Sequence, residues 1–327
     1  MIKMSYMSTT YVLPELRIRL FIALVLLLQN IGAHAQNDAT KNQSSENIIN
    51  LLDEPRNYLS TTLLGFSDRI DQIFSNTQNF SANNTSFARI SIASVWLDQG
   101  RPYPLTEAYV YLSLPRTQDK YSLLLQTDNT DESQSTGINL LPGSPTQRSS
   151  ALAIRGNIIN GTNWSVTADL GSKLSTTLDP FVRVSYKQKN QFENWSLFWQ
   201  ESIYSYLYQG NGIDSRLHGD YPVNDRFHLR FSNQLSLLEQ NSYIDHSHSL
   251  ALFQRLNAQS ALSYSIGYYT ESDPADGIYY TQIRYKSLLH DTWLYYELIP
   301  EYIYPKSTHF RATPKFTLKF EMLLGNP

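Results

Sequence analysis

The sequence predicts an all-β fold, an antiparallel transmembrane β-barrel of about fourteen strands with a short N-terminal helix outside it. Three observations carry this expectation. The chain opens with an export signal, strict two-residue alternation recurs between residues 85 and 324, and no apolar run after residue 36 is long enough for a spanning helix. Lipid offers the backbone no hydrogen bonds, so a chain that crosses it without helices must close its sheet into a barrel.

The export signal has three parts. Lys3, Arg17 and Arg19 precede the apolar run Leu20 to Leu28, which decays into the small-residue exit Ala33-His34-Ala35. Basic start, apolar middle and small-x-small exit define a secretory leader over 1–35, cleaved near Ala35. The run falls short of the ~20 residues that a membrane anchor needs. The whole chain carries a formal charge of −3, and losing a leader with three basic residues and one acidic one makes it more acidic. That balance excludes a nucleic-acid partner. Cysteine is absent, which removes disulfides, thiol catalysis and cysteine-based metal sites and leaves stability to the sheet.

Residues 36–84 form a separate periplasmic segment. Its first ten residues are polar and low in hydrophobicity, a composition that cannot bury a core. Residues 46–76 are predicted helical: Leu59, Leu63, Phe66, Ile70 and Phe74 recur every three or four residues, an amphipathic stripe. Thr77 to Asn84 is a turn-rich linker.

Residues 85–327 are the predicted barrel. In the last strand Phe316, Leu318, Phe320, Met322 and Leu324 alternate with Lys315, Thr317, Lys319, Glu321 and Leu323. A period of two puts the first set toward lipid and the second toward the interior. The same pattern sets Ile90 and Ile92 against Arg89 and Ser91, and Val110 and Leu112 against Glu107, Tyr109 and Tyr111. It recurs around Leu123, Val166, Val182, Leu229, Ile266 and Ile283. Weaker strands are expected near 149–157, 194–207, 211–221, 243–255 and 291–304. Short connectors near 115–119, 157–161, 222–225, 255–258 and 288–291 should alternate with longer outer loops, above all 128–148 and the acidic 271–277. Twelve strands is the alternative, if 194–221 supplies one strand and a long loop. The 23 tyrosines, 14 phenylalanines and 5 tryptophans suit the aromatic girdles of such barrels.

Leader, amphipathic terminal strand and repeated alternation together resemble the porin-like outer-membrane β-barrel proteins of Gram-negative bacteria. The resemblance covers 1–35 and 85–324. It implies an outer-membrane location, contact with lipid and lipopolysaccharide, and insertion by the barrel-assembly machinery. Members usually end on an aromatic residue, whereas here the apolar face ends at Leu324, with Phe320 its last aromatic.

The predicted lumen face holds Arg89, Arg155, Arg183, Lys187, Arg216, Arg230, Arg284, Lys286, Lys315 and Lys319. Against them stand Glu107, Asp169, Asp214, Asp220, Glu297, Glu301 and Glu321. Such charges are costly in lipid and tolerable in a wet interior. They either select solutes in a pore or pair with each other and brace the wall. An excess of base points to a weak anion preference if the pore is open. The expected function is therefore a passive channel or a structural membrane protein, without cofactor, metal or catalytic residues.

Two alternatives belong to other classes. One is a lipid-acting barrel enzyme, for which Ser232 and His228 on one strand face are the candidates and a third orienting group is needed. The other is a secreted soluble β-sandwich, with one alternating face packed into a core. His246 and His248, two residues apart, share a strand face and could form a metal pair, although a solvated loop end accounts for them. The carboxylates of 128–133 and 271–276 match no calcium-loop spacing. The stripe Leu59–Phe74 must cover itself, against the leaflet or a periplasmic partner.

Overall fold

The computed structural model describes residues 86–325, apart from 99, 115–119, 128–149, 175–176, 241–243, 272 and 292, and no side chains over 271–276. The leader, the 36–84 segment with its expected helix, and the whole of the 128–148 loop lie outside the described residues.

Fourteen strands follow one another in chain order: β1 Phe87–Leu97, β2 Tyr103–Ser113, β3 Tyr121–Thr127, β4 Ser150–Asn160 and β5 Trp164–Leu174. Next come β6 Asp179–Gln191, β7 Ser196–Tyr206, β8 Gly210–Pro222, β9 Phe227–Leu238 and β10 Ile244–Arg255. The last are β11 Ser260–Glu271, β12 Asp273–His290, β13 Leu294–Pro305 and β14 Thr313–Gly325. Each pairs antiparallel with its sequence neighbour, and β1 closes the barrel on β14 from Phe87↔Gly325 to Leu97↔Lys315. Closure leaves no open edge.

Side-chain exposure separates a membrane barrel from a soluble sandwich. Leu170, Val182, Val184, Ile203 and Ile266 are all more than half exposed. Asp169, Arg183, Ser185, Ser202, Arg216 and Glu297, on the opposite parity, are buried. A soluble sandwich would bury the aliphatic set and solvate the charged one. Aromatic residues gather toward both ends of the outer face. Trp164, Tyr186 and Trp199 meet at 5.7–6.1 Å at the end that carries both barrel termini. Tyr268, Tyr279 and Phe310 meet at 4.8–5.7 Å at the other. These are the two girdles of a membrane-spanning barrel.

The turns at the terminus-bearing end are short and built by side chains. Asn224 Oδ1 accepts from the backbone N–H of Arg226 and Phe227, at 2.9 and 3.0 Å. Asn257 repeats this with Gln259 and Ser260, both at 2.8 Å. Such Asx turns fix where each strand restarts and hence the register beyond it.

One sequence expectation holds and one is corrected. The stretch 194–221 forms two strands, β7 and β8, joined by 207–209, which excludes the twelve-strand alternative. The acidic 271–277 stretch is no long loop: β11 runs to Glu271, β12 starts at Asp273, and a register shift at Thr270/Glu271 absorbs the irregularity. Polar residues can stay paired in a strand that rises above the bilayer, where neither face has to meet lipid.

Aromatic rings lie across glycines on neighbouring strands. Tyr204 pairs directly with Gly212, and a Cβ at Gly212 would stand 2.3 Å from the Tyr204 ring. Phe181 faces Gly171 and Tyr280 faces Gly267 in the same way. On the inner wall Phe181, Tyr204 and Tyr206 join Ala151, Ala153 and Leu238 in one buried apolar cluster, toward the end opposite the termini.

Candidate functional site: the charged lumen

Antiparallel register decides which lumen charges meet. Arg155, Asp169 and Arg183 stand opposite one another across β4, β5 and β6. Arg155 donates to both Asp169 oxygens, Nε at 2.8 Å and Nη2 at 3.0 Å, and Arg183 Nε donates to Oδ2 at 2.8 Å. One carboxylate thus serves two guanidiniums. Bidentate pairs of this kind are among the stronger polar contacts in proteins.

On the wall that runs through the closure seam, Lys286 Nζ lies 2.9 Å from Glu297 and 2.8 Å from Glu321. Arg284 approaches Glu297 at 3.8 Å and Arg89 approaches Glu321 at 4.0 Å. Lys319 reaches across β1 to Glu107 on β2 at 3.2 Å, and Ser91 between them donates to the same carboxylate at 3.1 Å. Lys315 holds Glu301 at 3.1 Å. On β8 and β9, Arg230 and His228 converge on Asp220 at 2.7 and 2.9 Å.

Two of the seventeen charges expected on the lumen face differ. Arg216 is 3% exposed, and its Nε and Nη1 have no hydrogen-bond partner. Lys187 makes no ion pair or hydrogen bond with the described residues. The two acids on the Arg216 strand are engaged: Asp214 accepts from the Ser236 and Tyr204 hydroxyls, and Asp220 holds the pair just described. Apart from Asp214, the remaining candidates, Glu107, Asp169, Asp220, Arg155, Arg183, Arg230, Arg284, Lys286, Glu297, Glu301, Lys315, Lys319, Glu321 and Arg89, all take part in the ion pairs above.

The serine and histidine candidates are rearranged. Ser232 Oγ lies 3.1 Å from His218 Nδ1, its cross-strand neighbour, not beside His228, which holds Asp220. Four residues along a strand separate two side chains by about 13 Å, so the same-strand pairing could not have formed. His218 Nε2 is buried without a partner, so no group orients the ring as a catalytic dyad requires. His246 and His248 stand within β10 on the parity of Leu250, which is exposed. Their rings are 5.3 Å apart, and His248 Nδ1 meets Asn233 at 2.6 Å. They belong to the outer face near the Tyr268 girdle, and no group of three metal-ligating side chains occurs among the described residues.

A lumen cavity of about 130 Å3 lies beside these groups, lined by His218, Arg230, Ser232 and Gln234 on one side and Arg284 and Glu301 on the other. Sequence reasoning identified lumen charges by parity. It missed Gln200, Gln234 and the cross-strand His218 contact, because neutral polar residues in a lumen give no signal of their own.

A closed antiparallel barrel with an apolar girdled exterior and a charged interior is a transmembrane barrel of the outer-membrane, porin-like type. The sequence matches no family model and no curated protein. Among solved structures, the chain is similar to OprB of Pseudomonas putida at low pH, with 10% identity, a TM-score of 0.43, and 74% of this chain and 92% of that one covered. It is similar also to a loop-deletion mutant of OmpT, an outer membrane protein of Vibrio cholerae, at 8% identity, a TM-score of 0.44, and 74% and 100% coverage. The outer membrane channel DcaP of Acinetobacter baumannii gives 9% identity, a TM-score of 0.41, and 76% and 100% coverage. The class assignment rests on the barrel's own geometry.

Proposed function

We propose that the chain is a passive channel of the Gram-negative outer membrane, exported by a leader cleaved near Ala35, with a lumen that favours anions. The observation that supports it is the uneven pairing inside the barrel. Most lumen charges neutralise each other, while among the described residues Lys187 makes no ion pair or hydrogen bond and Arg216 Nε and Nη1 have no hydrogen-bond partner. Fixed positive charge in a water-filled, low-dielectric tube raises the local concentration of anions. Insertion by the barrel-assembly machinery and contact with lipopolysaccharide belong to the same reading, as does docking of Leu59–Phe74 on a periplasmic partner or the inner leaflet.

Purified protein in planar bilayers tests it. The expected result is stepwise conductance, with a zero-current potential in a potassium chloride gradient of the sign for chloride preference. No conductance, or cation preference, refutes the reading. Deleting residues 46–80 is expected to leave conductance unchanged, and a large rise would instead make that segment a plug.

A second reading, a barrel hydrolase, draws on the Ser232–His218 contact. Hydrolysis of an ester or phospholipid that is lost in Ser232→Ala would establish it.

A further inference from the structure

We propose that Arg216, with Lys187, Gln200 and Gln234, forms an oxyanion site in the lumen that takes the carboxylate of a small organic acid. The inference rests on the channel reading for access and deepens it, since it names where the solute stops and what chemistry holds it.

The four residues stand side by side across four strands. Lys187 on β6 is opposite Gln200 on β7, Gln200 is opposite Arg216 on β8, and Arg216 is opposite Gln234 on β9. Neighbouring strands lie about 4.8 Å apart, so the two cations start roughly 10 Å apart and their long side chains can both reach one ligand placed between them. All four belong to the inward parity, with Gln200, Arg216 and Gln234 buried.

What this row lacks is hydrogen-bond partners, chiefly for donors. Arg216 Nε and Nη1, Gln234 Nε2 and His218 Nε2, two residues along β8, are buried nitrogens without acceptors. The amide of Gln200 is half engaged, its Nε2 donating to Ser202 at 3.1 Å while Oε1 is unpaired. A buried guanidinium is strongly disfavoured unless hydrogen-bonded, and this barrel shows what it does when the partner is internal. Arg183, on the next strand but one, is given Asp169, and that carboxylate serves Arg155 as well. Among the described residues no acid accepts from Arg216 Nε or Nη1: Asp214, the nearby opposite charge, accepts from Ser236 and Tyr204, and Asp220 is held by Arg230 and His228. The described residues supply no acceptor for Arg216 Nε and Nη1, and the proposed solute takes that place. A carboxylate is acceptor-only, planar, and matched to the guanidinium fork. The adjacent cavity of about 130 Å3, which Gln234 and His218 also line, leaves room for the few carbon atoms of a short-chain acid.

The test uses succinate as probe and the full-length protein in planar bilayers bathed in sodium chloride. Wild type should show concentration-dependent interruption of the chloride current by succinate. Arg216→Gln should weaken this at least tenfold, and Lys187→Gln should weaken it by a smaller factor. Lys315→Gln removes the same charge from a lumen lysine paired with Glu301 and should leave the block within twofold of wild type. Equal block in wild type and Arg216→Gln overturns the site while the channel reading stands. Equal loss in Lys315→Gln overturns it too, because the effect is then general lumen charge. Phosphate blocking as well as or better than succinate overturns the carboxylate assignment. If wild type does not conduct, succinate titration by calorimetry in detergent decides: binding lost in Arg216→Gln keeps the site and refutes the channel, and no binding by wild type overturns the site. Heat-modifiable migration on gels shows that each variant has folded.

Discussion

Neutralising one member of the lumen network should have opposite consequences on the two sides of β6. Asp169 is the carboxylate that Arg155 and Arg183 share, and the side chains are 1%, 15% and 2% exposed respectively. Asp169→Asn keeps the size of the side chain but leaves two guanidiniums facing one neutral amide. Removing one partner of a buried ion pair costs about 3–5 kcal/mol. Arg155 retains some access to lumen water, so the lower end applies, about 3 kcal/mol, which is on the order of a hundredfold in the folded-to-unfolded ratio. Arg216 Nε and Nη1 have no hydrogen-bond partner to lose among the described residues. Arg216→Gln removes a buried charge that these two atoms leave unsatisfied, and its stability should equal or exceed that of wild type by up to about 1 kcal/mol. Reversible guanidinium unfolding in lipid vesicles, followed by tryptophan fluorescence, measures both. The reasoning is refuted if Asp169→Asn loses under about 0.5 kcal/mol, or if Arg216→Gln loses as much as Asp169→Asn, since braced and unbraced arginines would then be indistinguishable.

Three further outcomes follow from the wall itself. Gly212→Val drives a side chain into the Tyr204 ring, 2.3 Å from the ideal Cβ, and disturbs the Tyr204 hydroxyl, which reaches Asp214 at 3.4 Å and the Leu237 carbonyl at 3.3 Å. It should cost about 1–3 kcal/mol by the same unfolding assay. Gly219→Ala on the same strand, where nothing lies within 4 Å, should stay within about 0.5 kcal/mol. Leu170→Arg places a charge on the lipid face at a 63% exposed position and should cost about 2–4 kcal/mol, whereas arginine at Ser249, which lines the lumen cavity, should cost under about 1 kcal/mol.

The fold was legible where parity alone decides. In the terminal strand a charge at Lys315, Lys319 and Glu321 and an apolar residue at Phe316, Leu318 and Phe320 leave one orientation, and that is the observed one. Strand β10 shows the limit. Ile244, His246, His248 and Leu250 share one face, Asp245, Ser247, Ser249 and Ala251 the other, and with histidine on the apolar side a local reading favours neither orientation. The 271–277 stretch has the composition of a loop, yet Glu271, Asp273 and Gly277 pair in the β11–β12 ladder across a register shift that leaves 274–276 without a β11 partner. Partners were not legible. Which charges meet depends on register, and register is set by turns such as those built on Asn224 and Asn257. A local reading therefore gave Ser232 the histidine on its own strand, where the cross-strand His218 is the one in contact.

The arrangement on β6, β7 and β8 orders chemistry along the lumen. From the end opposite the termini, β6 presents Phe181, then Arg183, Ser185 and Lys187; β7 presents Tyr206 and Tyr204, then Ser202 and Gln200; and β8 presents Gly212, Asp214, Arg216 and His218. The aromatic cluster thus comes first, the braced pair of Arg183 and Asp169 next, and the unpartnered cations after it. The opposing wall carries Lys286 and Lys319 between glutamates that neutralise them, so it offers an anion no comparable hold. A solute with an apolar body and an acidic head meets surfaces in the order that suits it on one wall only. On the proposed channel reading, charge pairing and charge selection are therefore not competing accounts of this interior: pairing on one wall would confine selection to the other.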